Sequence, residues 1–91
     1  MALSRSSSWK EHRLANRLEM DGSEHTVDLV ARKATGVAGW KVTVVYLPRD
    51  GGREVKAELP NAASTAEVRR LVTELEGADE RLREIFRGAA G

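Results

Sequence analysis

The chain has 91 residues, no cysteine, and 15 basic against 14 acidic residues, for a formal net charge of +1. This excludes a disulfide framework and zinc–thiolate chemistry. It also argues against a dedicated double-stranded DNA binder, which is usually more basic. At this length one domain with a thin stability margin is expected. No apolar run approaches a membrane span, and a cytoplasmic location fits the composition.

Met1–Ser8 lacks the long apolar core of a signal peptide and reads as a disordered tail. Residues 9–20, WKEHRLANRLEM, admit two readings. Ser8 and Glu11 fit a helical capping box, but Leu14 and Leu18 then lie opposite Trp9 and Met20. As a strand, Leu14, Asn16, Leu18 and Met20 share one parity. Asp21-Gly22 is a strong two-residue hairpin turn, because both positions accept positive φ. It would set Met20 against Ser23, Leu18 against His25, Asn16 against Val27 and Leu14 against Leu29. Val27, Leu29 and Ala31 then join the same face, and Arg13, Arg17, Asp28 and Arg32 the other. The strand is preferred.

His25–Lys33 is a second strand and Ala34–Gly39 a flexible loop. That loop is no phosphate-binding loop, since Trp40 and Lys41 stand where the Walker pattern needs Lys and Ser or Thr. Trp40–Leu47 is the clearest strand, rich in β-branched and aromatic residues. It is apolar on both parities, with Trp40, Val42, Val44 and Tyr46 on one and Val45 and Leu47 on the other. Pro48 ends it. After the Arg49–Gly52 loop, Arg53–Leu59 alternates apolar Val55, Ala57 and Leu59 with charged Glu54, Lys56 and Glu58, as a strand with one wet face does. Pro60–Ala63 is expected to leave the sheet.

Ser64 and Glu67 form a capping box. Val68, Leu71, Leu75, Ala78, Leu82 and Ile85 follow at alternating steps of three and four, a heptad seam. The seam passes through Gly77 without a slip, which predicts one long helix from Ser64 to Arg87. The expected fold is therefore α+β: a four-stranded antiparallel meander over which a long C-terminal helix packs, with α-β-β-β-α as runner-up. Residues 9–87 form the domain, and 88–91 a C-terminal tail. The first outline resembles that of the PUR-repeat single-strand binders, which bind nucleic acid on a curved sheet and dimerise. The runner-up resembles the outline of a double-stranded RNA-binding domain. These resemblances rest on element order and assign no residue a role.

No spacing points to catalysis, metal ligation or a cofactor. His12 and His25 are the only histidines, and a catalytic histidine needs an orienting carboxylate and a partner group. Two functions are expected. The first is a homodimeric interaction module, whose partner is itself or another protein. A helix of about 24 residues spans roughly 36 Å and overhangs a strand of about 25 Å. Leu75, Ala78, Leu82, Ile85 and Phe86 would supply that subunit contact. The second is single-stranded DNA or RNA binding by an open sheet face, with Trp9 as a stacking platform. Lys10, Arg13, Arg17, Arg32, Lys33, Lys41, Arg49 and Arg53 would then contact phosphates.

Overall fold

The computed structural model describes residues 9–33 and 39–90, leaving out the side chains of Trp9 and Ala90. Four strands, β1 (Trp9–Met20), β2 (Ser23–Arg32), β3 (Trp40–Pro48) and β4 (Val55–Ala62), precede two helices, α1 (Thr65–Glu76) and α2 (Asp79–Ala90). The strands form one antiparallel sheet in the order β1-β2-β3-β4. The meander expected from the sequence is present. The expected tails over 1–8 and at Gly91, and the loop over 34–38, lie outside the described residues.

Residues 9–20 are a strand because the Asp21-Gly22 turn closes a hairpin. Asp21 has φ 54° and Gly22 φ 76°, the double positive φ of a type I′ turn. The pairs Met20–Ser23 and Leu18–His25 follow from it. The expected pair Leu14–Leu29 does not form: His12 stands opposite Leu29. Between Arg13 and Arg17 the register shifts, from Arg13–Asp28 to Arg17–Thr26, so β1 carries two more residues than β2 across this step. An insertion of two preserves the pleat's parity. Leu14, Asn16, Leu18 and Met20 consequently all stay buried on one face.

The far edge carries a second bulge. Val42 pairs with Leu59, whereas Trp40 pairs with Ala62, so β4 does not leave the sheet at Pro60 but continues through it. Proline lacks a ladder donor and is tolerated at such an irregularity of an edge strand. The bulge needs Gly39. This residue has φ 87°, and a Cβ added there would collide with the Ala62 carbonyl.

The core lies between one sheet face and the helices. Leu18, Val27, Leu29, Val42, Val44 and Tyr46 from the sheet meet Val68, Leu75, Leu82 and Phe86. Trp40 is also core. Ser64 caps α1, its hydroxyl accepting from the Glu67 amide while the Glu67 carboxylate accepts from Ala63. The serine half of the box is as the sequence shows, while the glutamate reaches the amide one residue before the cap instead of that of Ser64.

The single long helix is two. Gly77, at φ −104° and ψ 9°, ends α1, the Ala78 amide bonds back to Leu75, and Leu82 restarts the ladder on Ala78. The apolar seam nevertheless keeps its phase across the break, since Leu75 and Leu82 are both buried and Ala78 between them half-buried. Burial explains the break: a straight rod would overhang the sheet, whereas a bend lays its second half over the core. The joint is fastened to the β1 bulge, where Asn16 Nδ2 donates to Asp79 and the Ala15 amide to Glu76. Gly88–Ala90 belongs to α2 rather than to a tail.

Tyr46 locks α2 to the sheet. Its hydroxyl donates to the Leu82 carbonyl at 2.7 Å, and its ring meets Phe86 edge-to-face at 5.1 Å between centroids. Phe86 also meets His25 edge-to-face, and His25 Nδ1 bonds the Ser23 carbonyl. Burial pushes the Tyr46 phenol up to about 12 from its ordinary 10.0. As pH rises past 10 the unfolded chain ionises first, so the native state loses stability between pH 10 and about 12. Tyr46 is the sole tyrosine. Phenolate absorbance should therefore show no ionisation in the folded protein until near pH 12, and Y46F should remove this alkaline loss at a cost of about 1 kcal/mol at neutral pH.

Candidate binding face

The helices cover one side of the sheet, and among the described residues nothing covers the other. Cross-strand pairing sorts its side chains into rows. Arg32 and Lys41 form the first row, at the register position of Trp9. Glu11, Val30, Thr43 and Glu58 form the second, and Arg13, Asp28, Val45 and Lys56 the third. Arg17, Thr26 and Leu47 form the fourth, and Glu19 and Glu24 the last. Successive rows lie about 6.8 Å apart along the strands.

The floor of this face is unusually apolar for a solvated side. Val30, Thr43, Val45 and Leu47 are half-buried there by their neighbours. Together with the flanking charged residues they shape a trough of about 660 Å³. Antiparallel sheets with one wet face normally alternate apolar and polar residues cleanly, so an aliphatic strip across the central strands marks a surface suited to contact.

Charge is distributed unevenly along the strands. Lys10, Arg32, Lys33 and Lys41 gather where β1 starts, β2 ends and β3 starts, with Glu11 and Glu58 as acids in the adjoining row. The opposite end carries Glu19, Asp21, Glu24, Asp50 and Glu54, against Arg49 and Arg53. Arg13 bonds Asp28 across the ladder, and this bond, followed by the carboxylate's charge, raises the guanidinium above its ordinary value. Arg49 pairs with Glu24 at 3.0 Å.

The structure brings together some of the residues expected to contact phosphates and separates others. Arg13, Arg17, Arg32 and Lys41 share the open face. Lys10 and Lys33 do not: their ammonium groups lie 5.9 and 5.7 Å from the Trp40 ring centroid, on the helix side. Arg49 and Arg53 lie at the far end, in and beside the β3–β4 loop. The Trp9 side chain lies outside the description, although its backbone pairs with Arg32. Lys56 was missed. It stands opposite Val45 on the open face, and the alternation of Lys56 with Val55 and Ala57 is the signal that could have placed it.

The residues expected at a subunit contact pack instead on the chain's own sheet. Leu75, Leu82 and Phe86 are buried, and Ala78 and Ile85 half-buried. The break at Gly77 removes the overhang on which that contact was argued. Among the described residues no group of three or more potential ligands could hold a metal ion, and no helix is long and apolar enough to cross a membrane. No family model, curated protein or solved structure matches the chain.

Neighbouring residues on β3 discriminate the two faces. V45K should change stability by less than about 1 kcal/mol, while V44K places a lysine among fully buried side chains and should leave the chain unfolded. Denaturant titration of the two variants checks this; equal losses would show that the outer face is covered.

Proposed function

We propose that this protein is a non-catalytic binding module that holds a single-stranded nucleic acid on its open sheet face. The observation that supports the reading is the trough itself: an aliphatic floor of Val30, Val45 and Leu47 with Arg32, Lys41 and Lys56 at its walls, alternating with Glu11, Asp28, Glu54 and Glu58, while Arg13 and Arg17 stand on the same face beside it. Cations that neutralise phosphates supply sequence-independent affinity, and unpaired bases offer flat apolar surfaces to the floor. The described side chains of this face include no aromatic ring, since Trp40 and Tyr46 are core. Base contact by the described side chains is aliphatic, and modest, sequence-tolerant binding is expected. The basic end, at Arg32 and Lys41, is where the backbone would be held most firmly.

A second reading is a homodimer formed through the same face. Its support is the alternation of basic and acidic rows around the aliphatic strip, because a two-fold axis sets a patch against itself and mixed signs can then pair. A monomer mass by light scattering at high concentration rejects this reading.

Fluorescence anisotropy with a labelled single-stranded oligonucleotide tests the first reading. Binding at low salt should weaken as salt rises, with a logarithmic slope of about −0.7 per phosphate contacted. The triple variant R17A/K41A/K56A should lose on the order of ten-fold in affinity and flatten that slope. Absence of binding at low salt, or an unaltered triple variant, rejects the assignment.

A further inference from the structure

The joint between α1 and α2 is built differently from the start of α1. That start rests on a side-chain cap, Ser64, backed by Glu67. At the joint Gly77 ends α1 at φ −104°, outside the positive φ with which a terminal glycine ordinarily closes a helix. Ala78 stands at the cap position of α2, since the Leu82 amide bonds its carbonyl. Its methyl group offers no acceptor to the first amides of α2, and alanine is among the weakest cap residues. A Cβ on Gly77 would meet nothing within 4 Å, so packing does not require glycine there.

The residues around the joint favour continuity. Val68, Leu71, Leu75, Ala78, Leu82 and Ile85 keep steps of three and four across it, the pattern of one uninterrupted helix. A ladder running through the joint would also satisfy amides and carbonyls that a break leaves outside it. The bend is held from elsewhere in the chain: Asn16 bonds Asp79, the Ala15 amide bonds Glu76, and Tyr46 bonds the Leu82 carbonyl. Asn16 Oδ1 is meanwhile buried without a partner, so this clasp is incompletely satisfied.

Local preference for a straight helix and burial of α2 on the sheet conflict within one chain. Two copies can meet both. Leu82 and Phe86 fill the core, and Tyr46 fixes α2 through a backbone carbonyl; none of these contacts requires the helix to come from the same chain. Exchange of an identical element between protomers re-forms the same contacts, which makes it a low-cost route to a dimer. A joint of two residues is a short hinge of the kind that invites such exchange.

We propose that Gly77 and Ala78 form a domain-swapping hinge. In the second state α1 and α2 run on as one helix, and α2 packs on the sheet of a second copy of this chain. A helix from Thr65 to Ala90 would be about 39 Å long, against roughly 30 Å for the nine-residue β3. Its end would therefore pass beyond its own sheet. The exchange uses the helix side of the sheet and does not depend on the trough's ligand.

Size-exclusion chromatography with light scattering tests this on the chain unfolded in denaturant and refolded over a range of concentrations. The dimer share should rise with refolding concentration, and the dimer should revert slowly on dilution, since exchange requires α2 to leave its sheet. G77A should raise the association constant on the order of ten-fold, because two hinges each gain helix propensity. A78S, which supplies a cap to α2, should lower it by a similar factor. Dimers refolded from mixed isotope-labelled and unlabelled chains report the geometry: nuclear Overhauser effects between the Tyr46 and Phe86 rings should connect different protomers. A G77A variant that stays monomeric at every concentration, an association constant unmoved in both variants, or Tyr46–Phe86 effects confined to one protomer would overturn the proposal. The last of these, found with a dimer mass, is the result expected of association through the open face.

Discussion

The constraint on which this structure depends is that a pleated sheet has two faces and this chain carries helical surface for one. Leu18, Val27, Leu29, Val44 and Tyr46 present one continuous apolar face, and α1 and α2 are spent covering it. The Tyr46 hydroxyl, bonded to the Leu82 carbonyl, fixes where α2 crosses. Buried polar groups specify geometry because leaving them unpaired is costly. With the helices so placed, no described residue covers the other face, and Val30, Val45 and Leu47 remain half-buried there.

The two bulges determine what that face and its rim present. The β1 bulge brings Ala15 and Asn16 to the helix joint, where they bond Glu76 and Asp79. It also sets the rows that put Arg13 beside Asp28 and Arg17 beside Thr26. Because α1 is anchored through this joint at one end, its opposite end falls over Lys10 and His12. The same insertion therefore shapes the open face and the packing of the start of α1 on β1. Cations stand on both sides of the basic end of the sheet, Arg32 and Lys41 on one side and Lys10 and Arg69 on the other.

Much of the fold is legible in the residues, and the errors have physical causes. The Asp21-Gly22 turn and the parity of Leu14, Leu18 and Met20 identify β1 as a strand, since the turn's dihedrals admit few alternatives. The register of its first half is not legible. A two-residue bulge leaves side-chain parity untouched, so the hydrophobic pattern reads the same with or without it. Likewise the heptad seam cannot report the break at Gly77, because both helices bury the same apolar phase, Leu75 before it and Leu82 after. Pro60 reads as a strand end, yet the bulge at the β4 edge accommodates it by close approach to Gly39. The candidate site was read in part. Arg13, Arg17, Arg32 and Lys41 follow from strand parity, and the same parity puts Lys10 and Lys33 on the helix side, where their ammonium groups approach Trp40.

The sequence by itself determined the meander, the face each strand buries and the capped start of α1. These rest on local properties: the period of two, the turn dihedrals, and a serine and glutamate three residues apart. Only the tertiary structure decided that the C-terminal segment is two helices, that Leu75, Leu82 and Phe86 are consumed in the chain's own core, and that His12 meets Arg69 in one cleft. Those outcomes depend on burying a long apolar stripe on a short sheet. The competition is between surfaces far apart in the chain, and no local pattern records its result.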